Sequence, residues 1–271
     1  MTRASIRNGK GRPYRPPFFV AGPGIAWQPG GMPGGWTREE LFQALRLYFE
    51  TPFGRLHNRN PDIISLAGRI GRSPSAVAMK LVNFASIDPQ ITESGRKGLS
   101  GASAGDRAAW AAFTEDWRAA LDATIAPQAK AMDATEQAGW QTRRIGQNFF
   151  RNAVLSNFDN RCCATGLAEP RLLIASHIVP WAEDESNRLN PANGLCLAAT
   201  VDRAFDAMMI TLDEQSRWRI SRHLRDHRDD ITRSLFAELA GKPMAAPRKI
   251  AISGDQIARH RRQAAILHRF D

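Results

Sequence analysis

Residues 172–181, LLIASHIVPW, place a histidine near the end of an apolar run, and the segments NGLCL from Asn193 and DRAFD from Asp202 come closely behind it. The first segment has the content of a buried strand. Leu195 and Leu197 alternate against Cys196 as a second strand that starts at Asn193. Val201 to Met208 reads as a helix, with Asp202 and Asp206 one turn apart on the same face. Strand, loop, strand and helix in that order bring one polar group from each piece towards a single point.

The rest of the composition narrows the setting. The 271 residues carry a formal charge of +10, a field that favours a polyanion such as nucleic acid. No apolar run approaches the eighteen or so residues that cross a bilayer, and the N-terminus lacks an apolar signal core. A cytoplasmic location without membrane contact is the expectation. The three cysteines, two of them adjacent as Cys162 and Cys163, show no Cys-x-x-Cys spacing for a zinc site or a disulfide framework, so reduced, buried thiols are expected.

Residues 1–36 hold Arg3, Arg7, Lys10, Arg12 and Arg15 without an acid, then a Gly- and Pro-dominated stretch, and read as a basic flexible arm. Order begins at Thr37: Thr37-Arg38-Glu39-Glu40 is a capping-box pattern, and Leu41, Leu45, Leu47 and Tyr48 give a helical stripe over about 38–50. Asn60-Pro61 and Ser73-Pro74 each offer a cap followed by proline at the first helical position, bracketing two short helices separated at Gly71. The pair reads as a helix-turn-helix unit whose second helix turns Ser73, Ser75, Ala76, Met79, Lys80 and Asn83 outward, towards a major groove. The other reading is a helical hairpin that never touches DNA. One helix over about 106–124 carries Trp110, Phe113, Trp117 and Leu121 as core, and the polar, weakly patterned stretch after it reads as a linker.

The helix Gln147 to Phe158 leads into the chemistry, and Arg151 leaves it as a cation able to meet a phosphate. Hydrolysing a phosphodiester needs an activated water, a cation to offset charge on the phosphoryl oxygens, and a group that orients the base. Imidazole suits the base because its unperturbed pKa lies near neutrality, although a histidine in an apolar strand is often only a core residue. Asn193 can bridge main-chain groups across the loop and hold the strand of His177 in register; the competing reading is a turn residue in Asn-Gly. Asp202 and Asp206 can share a hard cation such as Mg²⁺, or be solvated acids on a short helix. Beyond them, Met209–Leu212 and Trp218–Ile220 read as a hairpin extending the small sheet, and Arg217, Arg219, Arg222, His223 and Arg225 as a phosphate clamp or a solvated basic surface. A last helix, about Asp255 to His268, packs its apolar side on this core.

In order and spacing, RCCATGL, LLIASHIVPW, NRLNPANGLCL and DRAFD, with Gly241-Lys242-Pro243 and His260-Arg261 in the tail, resemble the HNH endonucleases, most closely their bacterial restriction-type branch. The resemblance runs from about Gln147 onward. It implies a ββα-metal fold, His177 as the general base that activates water, Asn193 as the structural asparagine, and a divalent cation, Mg²⁺ or Mn²⁺. Two positions depart from the family pattern. The third motif position falls on or beside Val201, which cannot bind a metal, leaving Asp202 or Asp206 to supply the ligand; Ser176 stands where many members have Asp or His as a metal ligand directly before the catalytic histidine. Trp36–Leu41 and Ser75–Phe84 are similar to the helical domain found ahead of such nuclease modules.

The expectation is an α+β chain: the arm 1–36, a helical, DNA-binding domain 37–125 with the helix-turn-helix-like unit, a linker 126–137, and a ββα-metal HNH nuclease domain 138–271. Its function would be metal-dependent hydrolysis of phosphodiester bonds in double-stranded DNA, as a restriction or defence enzyme. His177 and Asn193 are the catalytic candidates, Asp202 and Asp206 the metal ligands, and Arg151, Arg203, Ser73, Ser75, Lys80 and Asn83 the nucleic-acid contacts. The alternatives are a non-catalytic DNA-binding regulator on a degenerate HNH fold, and an RNA nuclease. A two-fold DNA site would call for a homodimer, although no heptad marks a dimer surface.

Overall fold

Thr37 opens the first helix, α1 (Arg38–Glu50), with a full capping box: its hydroxyl accepts from the Glu40 amide, and the Glu40 carboxylate accepts from the Thr37 amide. The computed structural model describes residues 35–93, 101–129 and 136–270, and from Trp36 onward they belong to one unit. The expected arm 1–36 lies almost wholly outside the described residues. Among the described residues the fold is α+β, helical at first and then with two small antiparallel sheets.

The apolar face of α1 is the centre of the helical part. Phe49 is 1 % exposed, with the rings of Trp117, Trp110 and Phe113 at 4.8, 5.3 and 5.7 Å. Such offset and edge-on aromatic contacts add to what burial itself contributes. These partners come from α5 (Ala104–Glu115) and α6 (Trp117–Ala129), two helices where the sequence suggests one. The break is Asp116, which leaves helical geometry and accepts from the Ala119 amide through its carboxylate, capping the second helix. Trp117 then stacks towards Phe149 of α7 (Glu136–Asn157), at 5.8 Å. Of the expected linker 126–137, residues 126–129 are the end of α6 and 136–137 the start of α7; residues 130–135 lie outside the described residues.

α2 (Pro61–Arg69) and α3 (Pro74–Ala85) start at the expected caps, Asn60 and Ser73. Gly71 between them has φ +68, a left-handed turn that closes α2 through Arg72 N–H donating to Ala67 O. Lys80 corrects the expected outward set. It is 8 % exposed, and its ammonium donates to Asp106 at 2.7 Å, because that fully buried carboxylate at the start of α5 needs a counter-charge. Asn83 is half-buried, while Ser73, Ser75 and Met79 are exposed. A short α4 (Pro89–Glu93) comes next.

After α7, Asp159 and Asn160 turn the chain at φ 53 and 55. β1 (Leu173–His177) pairs antiparallel with β2 (Gly194–Ala198), His177 lying opposite Gly194, and α8 (Ala199–Asp206) packs on both. β3 (Ile210–Leu212) and β4 (Trp218–Ile220) form a separate two-stranded sheet instead of extending the first. The reason is visible at β4, where Trp218 exchanges main-chain bonds with Gly241 and Lys242, so the returning tail takes its outer edge. α9 (Arg222–Arg225), α10 (Asp230–Ala237) and α11 (Gly254–Leu267) complete the chain, α11 packing on β3.

The tail is also tied to the helical part. The Asn157 carboxamide at the end of α7 accepts from the amides of Arg248, Lys249 and Ile250 and donates to Ile250 O. This hook drives the Lys249 side chain inward, where its ammonium donates to Tyr48 O and Thr51 O at the C-terminal end of α1 and lies 4.4 Å from the Tyr48 ring. Tyr48 in turn donates to the buried Asp88 at 2.7 Å.

Burial lowers the Lys249 pKa to about 7, against the pull of the Asp88 and Asp159 charges. An unfolded lysine titrates near 10.4, so between those values the unfolded chain holds more protons and stability rises with pH. Burial raises Asp88 to about 6, which works in the opposite sense but below pH 6. Melting curves of the wild type and Lys249→Met should therefore diverge in favour of the wild type as pH rises from 7 to 9. A constant difference would show that the buried amine keeps its proton.

Candidate active site

His177 closes β1, and the loop that leaves it is held by Asn193. The Asn193 Oδ1 accepts from Val179 N–H at 2.9 Å, its Nδ2 donates to Val179 O at 3.1 Å, and its main-chain carbonyl accepts from Ile178 N–H at 2.9 Å. Asn193 is 1 % exposed and ends a short 3₁₀ turn, so β2 starts one residue later than the sequence suggests. A side-chain amide has both a donor and an acceptor, which is what occupying both polar groups of one residue requires.

The imidazole lies flat on Phe150 of α7, with centroids 3.9 Å apart and planes 5° apart, and meets the Trp181 ring edge-on at 5.6 Å. That close approach needs glycine at 194: a Cβ there would stand 2.9 Å from Phe150 Cζ and would collide with Val154. His177 Nε2 is 3.0 Å from Arg188 O. A carbonyl only accepts, so Nε2 carries the proton, and the neutral ring keeps its basic lone pair on Nδ1. Burial lowers the pKa of His177, with the Arg188 bond opposing the shift. Arg188 is itself anchored, its Nε donating to Trp181 O at 2.8 Å and its guanidinium lying 5.3 Å from the Trp181 ring.

His177 lines a cavity of about 390 Å³ together with Ser176, Asp202, Asp206 and His260. The two aspartates come from one face of α8. Burial raises the pKa of both; the charge of Asp202 raises Asp206 further, while Ser176 and Arg203 oppose the shift at Asp202. The pair is thus short of positive charge, and its hard carboxylate oxygens fit a hard divalent cation. Among the described residues no group of three or more His, Cys, Asp or Glu is placed to hold a metal, so these two acids are the available protein charge.

The cavity's second histidine, His260, differs from the first. It too lies flat on a phenylalanine, Phe205, at 3.8 Å and 6°. Both of its nitrogens are occupied, however: Nε2 donates to Phe205 O at 3.2 Å, and Nδ1 therefore accepts from the Thr211 hydroxyl at 2.9 Å. Burial lowers its pKa to about 4. His260 holds α11 to the core, whereas His177 has a nitrogen to offer.

Residues 162–213, which contain β1, β2, α8 and β3, match the family model described as HNH endonuclease. Over that segment the chain is similar to the HNH endonucleases. A comparison of the whole chain with curated proteins gives no match. The family is one of endonucleases, which points to nuclease chemistry. Among the described residues no helix is long and apolar enough to cross a membrane.

The matched segment brings His177, Asp202 and Asp206 around one cavity, while Asn193 is buried and does not line it. Val201 is 3 % exposed in the core and offers the cavity nothing. Arg203 is exposed on α8 between the two acids. Arg151 is placed otherwise: its guanidinium donates to Leu173 O at 3.0 Å and Pro170 O at 3.3 Å, bracing the entry to β1. Ser73, Ser75, Lys80 and Asn83 belong to α3 and its cap, and line no part of this cavity. Sequence reasoning missed Phe150 as the plate under His177, hidden in an ordinary apolar stripe, and Arg188, which acts through its main chain and leaves no signal in residue type.

Gly194→Ala tests the packing of the site. The added methyl must push Phe150 or Val154 aside, costing about 1–3 kcal/mol, and must tilt the His177 ring. Thermal denaturation should show the loss, and the histidine ring resonances in an NMR spectrum should shift; unchanged values of both would contradict the close approach.

Proposed function

We propose that the protein is a divalent-metal-dependent endonuclease acting on double-stranded DNA, as a restriction or defence enzyme. The observation that carries the reading is a half-buried, neutral His177 with Nδ1 uncommitted among the described residues, on a cavity shared with two carboxylates of raised proton affinity. A base whose pKa lies below neutrality is already deprotonated at neutral pH.

In this mechanism Nδ1 takes a proton from water while Arg188 O holds the Nε2 proton and so fixes the tautomer. Asn193 keeps the loop after β1 in place, and Phe150 prevents the ring from tilting. A Mg²⁺ or Mn²⁺ ion held by Asp202 and Asp206 would supply Lewis acidity for the phosphoryl oxygens and the departing 3′ oxygen. Arg203, exposed beside the acids, offers a cation to the phosphate backbone. The α2–α3 pair is assigned to DNA contact as a helix-turn-helix; with Lys80 turned inward, Ser73, Ser75 and Met79 would make that contact. The net charge of +10 supports a polyanionic substrate.

A second reading, a DNA-binding regulator on a degenerate HNH fold, is favoured by Val201 and by the small number of protein charges at the cavity. His177→Ala separates the two. The variant should lose cleavage by a factor of at least about 100, the usual share of a general base, while binding DNA as tightly as the wild type in a gel-shift titration. Cutting by the pure variant at the wild-type rate would remove His177 from the reaction.

A further inference from the structure

Three histidines that the site does not use gather where α8 ends. His268, at the C-cap of α11, donates from Nε2 to Ala207 O at 3.1 Å, one residue past Asp206. Its ring lies 6.5 Å from that of His223 on α9, which in turn lies 5.7 Å from that of His227. The two segments are joined again where Arg222 N–H donates to Arg269 O. Their chain neighbours add charge: Arg228 and Arg269 are exposed, and their guanidinium groups have no partner among the described residues.

The acids of this surface are already committed. Asp226 pairs with Arg225, Asp230 with Arg233, and Asp229 accepts from the amide and the hydroxyl of Thr232. The Asp229 amide donates to His227 Nδ1 at 3.2 Å, so the ring proton of His227 sits on Nε2, which has no acceptor among the described residues. His223 is exposed and has no hydrogen bond among the described residues. Other exposed arginines of the same part find carboxylates, as Arg171, Arg248 and Arg259 do. Cations and N–H donors gathered without a counter-charge repel one another, and phosphate oxygens are the acceptors that match them.

We propose that His223, His227, Arg228 and Arg269 form a docking surface for the DNA backbone, taking up phosphates of the duplex that flank the bond presented to the His177 cavity. The inference rests on DNA as the substrate and adds the side on which the duplex leaves the cavity. Phosphate contacts position a duplex without reading its sequence, so this surface sets register and affinity rather than target. It also divides the basic run after β3: Arg217 is bound to Gly241 O and Arg225 to Asp226, whereas His223 joins the docking set.

Fluorescence anisotropy with a labelled duplex, in chelator and in Ca²⁺, reads binding apart from cleavage. The wild type, His223→Ala, the double variant Arg228→Ala/Arg269→Ala and Arg107→Ala are compared between 50 and 200 mM salt, values chosen to bracket about one Debye length, with melting curves to check folding. Arg107, exposed and unpaired on α5, is the control for loss of charge elsewhere. Losing two phosphate contacts lowers the salt slope by about 1.8, so over that range the double variant should lose about tenfold less affinity than the wild type. His223→Ala should weaken binding by about fivefold, and Arg107→Ala should keep the wild-type slope. Wild-type affinity and slope in the double variant would overturn the docking surface and leave DNA as the substrate. A fall of slope per charge in Arg107→Ala equal to that in the double variant would reduce the effect to net charge and overturn it as well. A wild type that binds no duplex in either condition would overturn both readings.

Discussion

The side-chain amide of Asn193 takes up both polar groups of Val179, and its main-chain carbonyl takes the amide of Ile178, so the turn that starts β2 is welded to the exit of β1. The placement of His177 depends on that weld. Gly194 sits opposite His177 in the register; Phe150 of α7 closes on the space that only glycine leaves; and the imidazole lies flat on that ring. The direction of the ring's uncommitted nitrogen is thus set by main-chain bonds and packing rather than by a charged partner. Without the amide, buried main-chain groups would be left unpaired where the histidine strand ends.

Charge is distributed unevenly around His177. The chain as a whole is strongly positive, yet the cavity beside His177 concentrates two carboxylates on one face of α8. The charge of Arg203 on the same helix partly offsets that of the two acids. The two histidines of the cavity show how environment assigns roles. Thr211 and Phe205 O occupy both nitrogens of His260, while Arg188 O occupies one nitrogen of His177.

The features legible in the sequence are chiefly those that local chemistry encodes. The caps at Thr37, Asn60 and Ser73 locate three helices, the left-handed Gly71 separates two of them, and the apolar alternation around His177 and Asn193 marks the two strands. Long-range partners are not legible. Lys80 looks like a surface cation until Asp106, brought beside it by α5, draws it inward, and Lys249 in the tail gives no hint that α1 ends on it. Asp116 splits a helix because its carboxylate caps the next one, a choice that apolar periodicity does not register. β3 and β4 stand apart from the first sheet because residues 241–242 occupy the outer edge of β4. At the candidate site, residue types single out His177 and the two acids that share its cavity, whereas the tautomer depends on a main-chain carbonyl and the ring plane on a phenylalanine.

Cleavage by water activated at His177, with a divalent cation that Asp202 and Asp206 would hold, is the proposed activity. Its most direct test is incubation of the pure protein with modified and unmodified duplex DNA, with Mg²⁺ or Mn²⁺ and with chelator, then mapping of the ends. Metal-dependent cuts that leave 3′-hydroxyl and 5′-phosphate ends are the predicted result. DNA that is bound but stays intact with every divalent cation tried, or is cut equally well in chelator, would contradict it.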